Sequence, residues 1–217
     1  MRQLDFKQTF HTTLSKRGLR IPFNFDQVTA VEQWKLKSKV VVGDSHSPSI
    51  AGPGWCCHRE DGKSLFGALK QGLLTRVPRR AQMVAFNFGN IDMRHHLGRQ
   101  EDPHKATLEL VRGYISQVQH VRKEEGAYCF VTELLPQTPD ERKIPKTGWF
   151  EKQPFWGSLE LRMELTELFN EELRKSDIDV ISSESYKGED GLIRIETMEA
   201  GGSVHLAPHS YNYDWGK

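Results

Sequence analysis

Short apolar runs, separated by longer amphipathic stretches, organise this chain. Lys39-Val40-Val41-Val42-Gly43-Asp44 is a β-branched run ended by a turn, the pattern of a buried parallel strand. Met83 to Phe88, closed by Gly89, and Tyr128-Cys129-Phe130-Val131-Thr132 repeat it, and Ile178 to Ile181 gives a fourth strand. Leu192 to Ile195 reads as a fifth strand or a short hairpin arm. Between these runs the period changes to that of a helix. From His104 to Lys123, Leu108, Val111, Ile115 and Val118 recur at spacings of four and three and form one apolar stripe. Ser64 to Leu74 reads as a helix interrupted by Gly67. Ser158 to Lys175 reads as another, with Leu161, Leu165, Leu168 and Phe169 facing the core. Strands alternating with helices predict an α/β domain, a mostly parallel sheet of about five strands with helices on both faces. Ligands of such sheets bind outside the carboxyl ends of the strands.

Residues 1–37 depart from this rhythm. They are polar, with scattered aromatics at Phe6, Phe10, Phe23, Phe25 and Trp34, and predict an N-terminal arm packed on a domain spanning 38–217. The apolar fraction of 37% and the charged fraction of 27% are those of a soluble globular protein. Thirty basic against 29 acidic residues leave a net charge of +1, which argues against a dedicated nucleic-acid partner. The local cluster Arg76-Val77-Pro78-Arg79-Arg80 reads as solvated surface. No apolar run is long enough to cross a membrane, and the N-terminal residues lack the apolar stretch of a secretory signal. Three cysteines, two of them adjacent at Cys56 and Cys57, fit a reduced, cytoplasmic setting. Oligomeric state is not legible.

Three segments carry candidate chemistry. Gly43-Asp44-Ser45-His46 leaves the first strand directly, so Ser45 sits at the carboxyl edge with its hydroxyl exposed; Asp44 and His46 flank it. A serine hydroxyl is a weak nucleophile until a positioned base takes its proton. Gly, Asp and Ser also favour ordinary turns. Phe88-Gly89-Asn90-Ile91-Asp92-Met93-Arg94-His95-His96 leaves a second strand at the same edge. There Gly89 would permit close backbone approach, Asn90 would donate to an oxyanion, Arg94 would hold an anionic group or tie down the loop through Asp92, and His96 would assist. His205, in Val204-His205-Leu206-Ala207-Pro208, is a candidate general base.

Taken in order, GDS after the first strand, a glycine-led block after a middle strand, and a late His followed by Leu-x-Pro resemble the SGNH (GDSL-like) hydrolases. The match is to the branch reading GDSH in the first block and FGxIDxRxH in the second, where Phe88, Gly89, Ile91, Asp92, Arg94 and His96 all fit. Gly157 to Arg162, followed by Phe169-Asn170, resembles that branch's penultimate helix. The resemblance covers roughly residues 38–210 and implies a three-layer α/β/α, flavodoxin-like fold with ester hydrolysis and no cofactor. Ser45 would be nucleophile, His205 base, and the Ser45 amide part of the oxyanion hole. The substrate would be a small-molecule or carbohydrate ester. Two departures stand out. The position three before the base, usually Asp, is Gly202, so Asp214, Glu199 or a backbone carbonyl would have to orient the ring. The usual GxND reads Gly89-Asn90-Ile91-Asp92, which displaces the oxyanion Asn.

Competing readings remain open in the sequence. His205 and His209 lie four apart, and His46, His58, His95 and His96 would complete a metal-dependent hydrolase, although Pro208 falls between the first pair. A binding module with the same fold, or an acyltransferase using the same serine, would share the motifs.

Overall fold

The computed structural model describes residues 39–142 and 154–211; the arm expected over 1–37, and Asp214, lie outside them. The elements in chain order are β1 (Lys39–Gly43), β2 (Cys56–Arg59), α1 (Leu65–Gln71), β3 (Met83–Asn87), α2 (Asn90–His95), α3 (Pro103–Glu125), β4 (Tyr128–Thr132), α4 (Leu159–Arg174) and β5 (Asp179–Ile181), joined by short 3₁₀ turns. The five strands form one sheet in the order β2-β1-β3-β4-β5, every pairing parallel. That order is the flavodoxin-like one, and the architecture is three-layer α/β/α.

Strand periodicity explains the layers. Val40 and Val42, Val84 and Phe86, and Cys129 and Val131 face one side, where they pack with residues of α1, α2, α3 and α4. Their alternates Val41, Ala85, Phe130 and Ile181 form a smaller cluster with Ile50 on the other side. Among the described residues all four α-helices contribute to the larger cluster. Side-chain caps start the longer helices: Asp102 accepts from the Lys105 amide at 2.9 Å ahead of Pro103, and Ser158 accepts from the Leu161 amide at 3.2 Å.

Several sequence expectations shift. The buried stripe of α3 centres on Val111, Tyr114, Val118 and Val121, with Leu108 and Ile115 at its flank. The fifth strand is the half-buried edge strand β2, whose polar sequence carries no periodic signal. Leu192 to Ile195 contributes only the antiparallel bridge between Ile193 and Lys187. Gly67 lies inside α1 without interrupting it; the helix ends instead at Gly72. Arg76 is not solvated surface: it is buried and bonded to Glu60 at 2.6 Å, while Arg79 and Arg80 are exposed. Among the described residues no helix is long and apolar enough to cross a membrane.

Candidate active site

The carboxyl ends of β1 and β3 pass so closely that a Cβ on Gly43 would stand 2.1 Å from Asn87 O, so only glycine fits there. Past Gly43 the pairing continues for one bond, from the Asp44 amide to Asn87 O at 3.0 Å, and the chain then turns away. Asp44, fully buried, tightens that turn by accepting from the His46 amide at 2.9 Å. Ser45, between them, remains half-buried at the sheet edge.

His205 arrives from the other end of the chain. Its Nε2 lies 2.8 Å from Ser45 Oγ, across 160 positions of sequence. Two contacts hold the loops in register. His46 reaches Val204 O through Nε2 at 3.1 Å and Asp44 Oδ1 through Nδ1 at 3.1 Å, and its ring stands 5.0 Å from that of His205. The Glu199 amide donates to His205 O at 3.0 Å. His46 thus staples the serine loop to the histidine loop through both ring nitrogens. On the far side of the His205 ring, Ser203 Oγ lies 3.3 Å from Nδ1 and donates to Glu199 Oε2 at 2.9 Å; that carboxylate is itself 3.7 Å from Nδ1. A hydroxyl and a carboxylate therefore stand where Gly202 leaves no acid. Sequence named Glu199 as one candidate but gave no sign of Ser203.

The middle block divides. At Gly89, with φ at 112°, a Cβ would come within 2.7 Å of Leu134 Cδ2, so glycine is needed against the core there. Asp92 turns to α1, where Oδ2 accepts from the Leu65 amide at 2.5 Å and Oδ1 from the Phe66 amide at 3.1 Å. These are otherwise unbonded first-turn donors, so Asp92 is a helix cap contributed from another element. Burial raises its carboxyl above the usual 3.8, against the pull of those two amides and of His96. Arg94 is consequently not tied down by Asp92; its Nε donates to Asn90 O at 2.9 Å. His96 is exposed at the end of α2, with its ring 6.4 Å from that of His95. Asn90 Oδ1 accepts from the Leu135 amide at 3.0 Å, which turns its NH₂ the other way.

Asn90, Arg94, His46 and Val204 line one small pocket open to solvent, completed by the segment after β4 with Gln137 and Thr138. That segment lay inside a connection with no legible pattern. It is held by polar residues of α4 that follow helical spacing: Asn170 bonds both backbone groups of Leu134, and Thr166 accepts from Gln137 Nε2 at 2.9 Å. Arg162, fully buried on the same face, pairs with Asp140 and donates to Gly157 O at 2.6 Å. The buried face of α4 is therefore half polar, and Leu161 and Leu168 are only part-buried. Tyr114, in the core beneath, has its phenol pushed well above its ordinary range by burial and by the charge of Asp44.

The histidines of the metal reading do not converge. His58 bonds Arg76 O and His209 bonds Glu196 O, and among the described residues no three His, Cys, Asp or Glu side chains form a metal-binding group.

No protein-family model matches the chain, and no curated protein does. Solved structures do. A GDSL-like lipase from Bacteroides thetaiotaomicron VPI-5482 superposes with a TM-score of 0.54 over 95% of this chain and 93% of its own, at 14% identity. A proposed acylhydrolase from Bacteroides fragilis NCTC 9343 gives 0.53 over 87% and 92%, at 13% identity. The OSK domain of Drosophila Oskar gives 0.51 over 87% and 91%, at 14% identity. The chain has the fold of the SGNH (GDSL-like) hydrolases, a likeness of architecture at these identities.

Proposed function

We propose that this chain is a serine esterase that cleaves a small acyl ester of a small-molecule or carbohydrate alcohol. One observation carries the reading: the Ser45 hydroxyl and the His205 imidazole, remote in sequence, stand 2.8 Å apart at the carboxyl edge of a parallel sheet. With the Nδ1 proton donated to Ser203 Oγ, Nε2 is the lone-pair nitrogen, the tautomer a general base needs.

In this mechanism Nε2 takes the hydroxyl proton as Ser45 Oγ attacks the ester carbonyl. The oxyanion is met by the Ser45 amide and by Asn90 Nδ2, whose orientation follows from the Leu135 bond to Oδ1. Collapse breaks the acyl–oxygen bond, and the proton on His205 leaves with the alcohol. Water then attacks the acyl-serine, His205 takes a proton from it, and the acid is released as that proton returns to Ser45 Oγ. An acyl group passed to a second alcohol instead of water would use the same intermediate.

The test is labelling by a fluorophosphonate, with 4-nitrophenyl acetate hydrolysis alongside. Wild type is expected to label and turn over, and Ser45→Ala to do neither. Equal labelling of the two would exclude Ser45, and a wild type that never labels would leave a binding module.

A further inference from the structure

Arg94 is only 7% exposed, yet a single bond, from Nε to Asn90 O, engages its guanidinium. Buried charges are ordinarily paired. The other two arginines buried among the described residues obey that rule, Arg76 with Glu60 and Arg162 with Asp140. Among the described residues no carboxylate lies within ion-pair distance of Arg94, and its two Nη atoms make no hydrogen bond. Asp44 attracts it and Arg162 repels it from farther off; burial, the larger effect, lowers the guanidinium to about 10, which leaves it charged at neutral pH. Arg94 also lines the solvent-open pocket. With Nε turned back to its own helix, the free edge is the Nη1–Nη2 fork, which matches two oxygens of one anionic group. That pocket adjoins the Ser45–His205 pair, because His46 and Val204, the chain neighbours of the pair, form part of its wall and bond each other.

Resting on the esterase reading above, we propose that this pocket is an anion subsite, and that the substrate ester carries a carboxylate or phosphate group held by the Nη1–Nη2 fork of Arg94. Asn90, Gln137 and Thr138 line the same pocket and would supply neutral donors around that group.

The experiment separates the subsite from the chemistry. Thermal melts of full-length Ser45→Ala are recorded in sodium succinate, inorganic phosphate and sodium chloride at matched ionic strength. At about ten times its dissociation constant, one of the two oxyanions is expected to raise the midpoint by roughly 3 °C or more over chloride. The response to succinate or to phosphate then says which group the fork prefers. In Ser45→Ala carrying Arg94→Gln the shift should vanish. Arg94→Lys, which keeps the charge and loses the fork, guards against a Gln variant that fails to fold, and should weaken binding at least about tenfold. In wild type the same anion should compete with 4-nitrophenyl acetate, with an inhibition constant raised by a similar factor in Arg94→Lys. No shift beyond chloride with either anion, or a shift that persists undiminished in the Lys and Gln variants, overturns the subsite. An Arg94-dependent shift in a protein that never labels with fluorophosphonate upholds the subsite and defeats the esterase reading. Labelling without any such shift does the reverse.

Discussion

His205 meets Ser45 with one ring nitrogen and Ser203 with the other, and the second contact is the unusual one. A serine hydroxyl both accepts from Nδ1–H and donates to Glu199, so it can pass on the orienting effect of a carboxylate 3.7 Å away. Ser203→Ala should leave the ring free to turn and forfeit part of the roughly 10²–10⁴ that a positioned general base supplies. The expected result is a kcat lowered by about 10 to 10² with KM little changed, restored in part by Ser203→Thr. Steady-state kinetics with 4-nitrophenyl acetate check this. A rise in KM with unchanged kcat would show that Ser203 shapes the loop and does not position the base. Sequence named Ser45 and His205 as candidates because each sits in a short motif. It could not name Ser203 as the intermediary, since a serine two residues from a histidine has no signature of its own.

At the scale of elements, the site depends on how tightly β1 and β3 approach. Gly43→Ala would drive a Cβ into the carbonyl of Asn87, and a backbone atom cannot swing aside as a side chain can. Overpacking of this kind typically costs about 1–3 kcal/mol, and here it falls two residues before Ser45. Calorimetry should show the midpoint reduced by at least about 3 °C, with labelling of Ser45 reduced alongside it. An unchanged melt would mean that the strands part there without strain. The helices α1, α3 and α4 were largely legible, because their apolar periods lie within single segments. The polar half of the α4 face was not. Arg162, Thr166 and Asn170 look solvent-facing by pattern, and they are buried because the segment after β4 brings them a fixed set of partners.

For the molecule as a whole, Asp92 links stability to pH. Burial raises its folded-state carboxyl above 3.8, so the folded chain holds that proton more tightly than the unfolded one. Its contribution is then fully present below the unfolded value and is lost as pH rises through the folded value. Asp92→Asn removes the titration. Melts from pH 4 to pH 7 should therefore show wild type gaining on the variant as pH falls, and a constant difference would show that the carboxyl is not shifted. By itself the sequence determined the α/β rhythm, the extents of the helices α1, α3 and α4, and the Ser45 and His205 candidates, because periodicity and turn motifs act over a few neighbouring residues. Tertiary structure alone decided the rest: the edge strand β2, the Ser45–His205 contact across 160 positions, the turn of Asp92 toward α1 across 27, and the burial of Arg94 without a carboxylate partner among the described residues. The physical reason is that a polar side chain has no assigned partner until distant segments pack, and its burial, charge and chemistry follow from that partner.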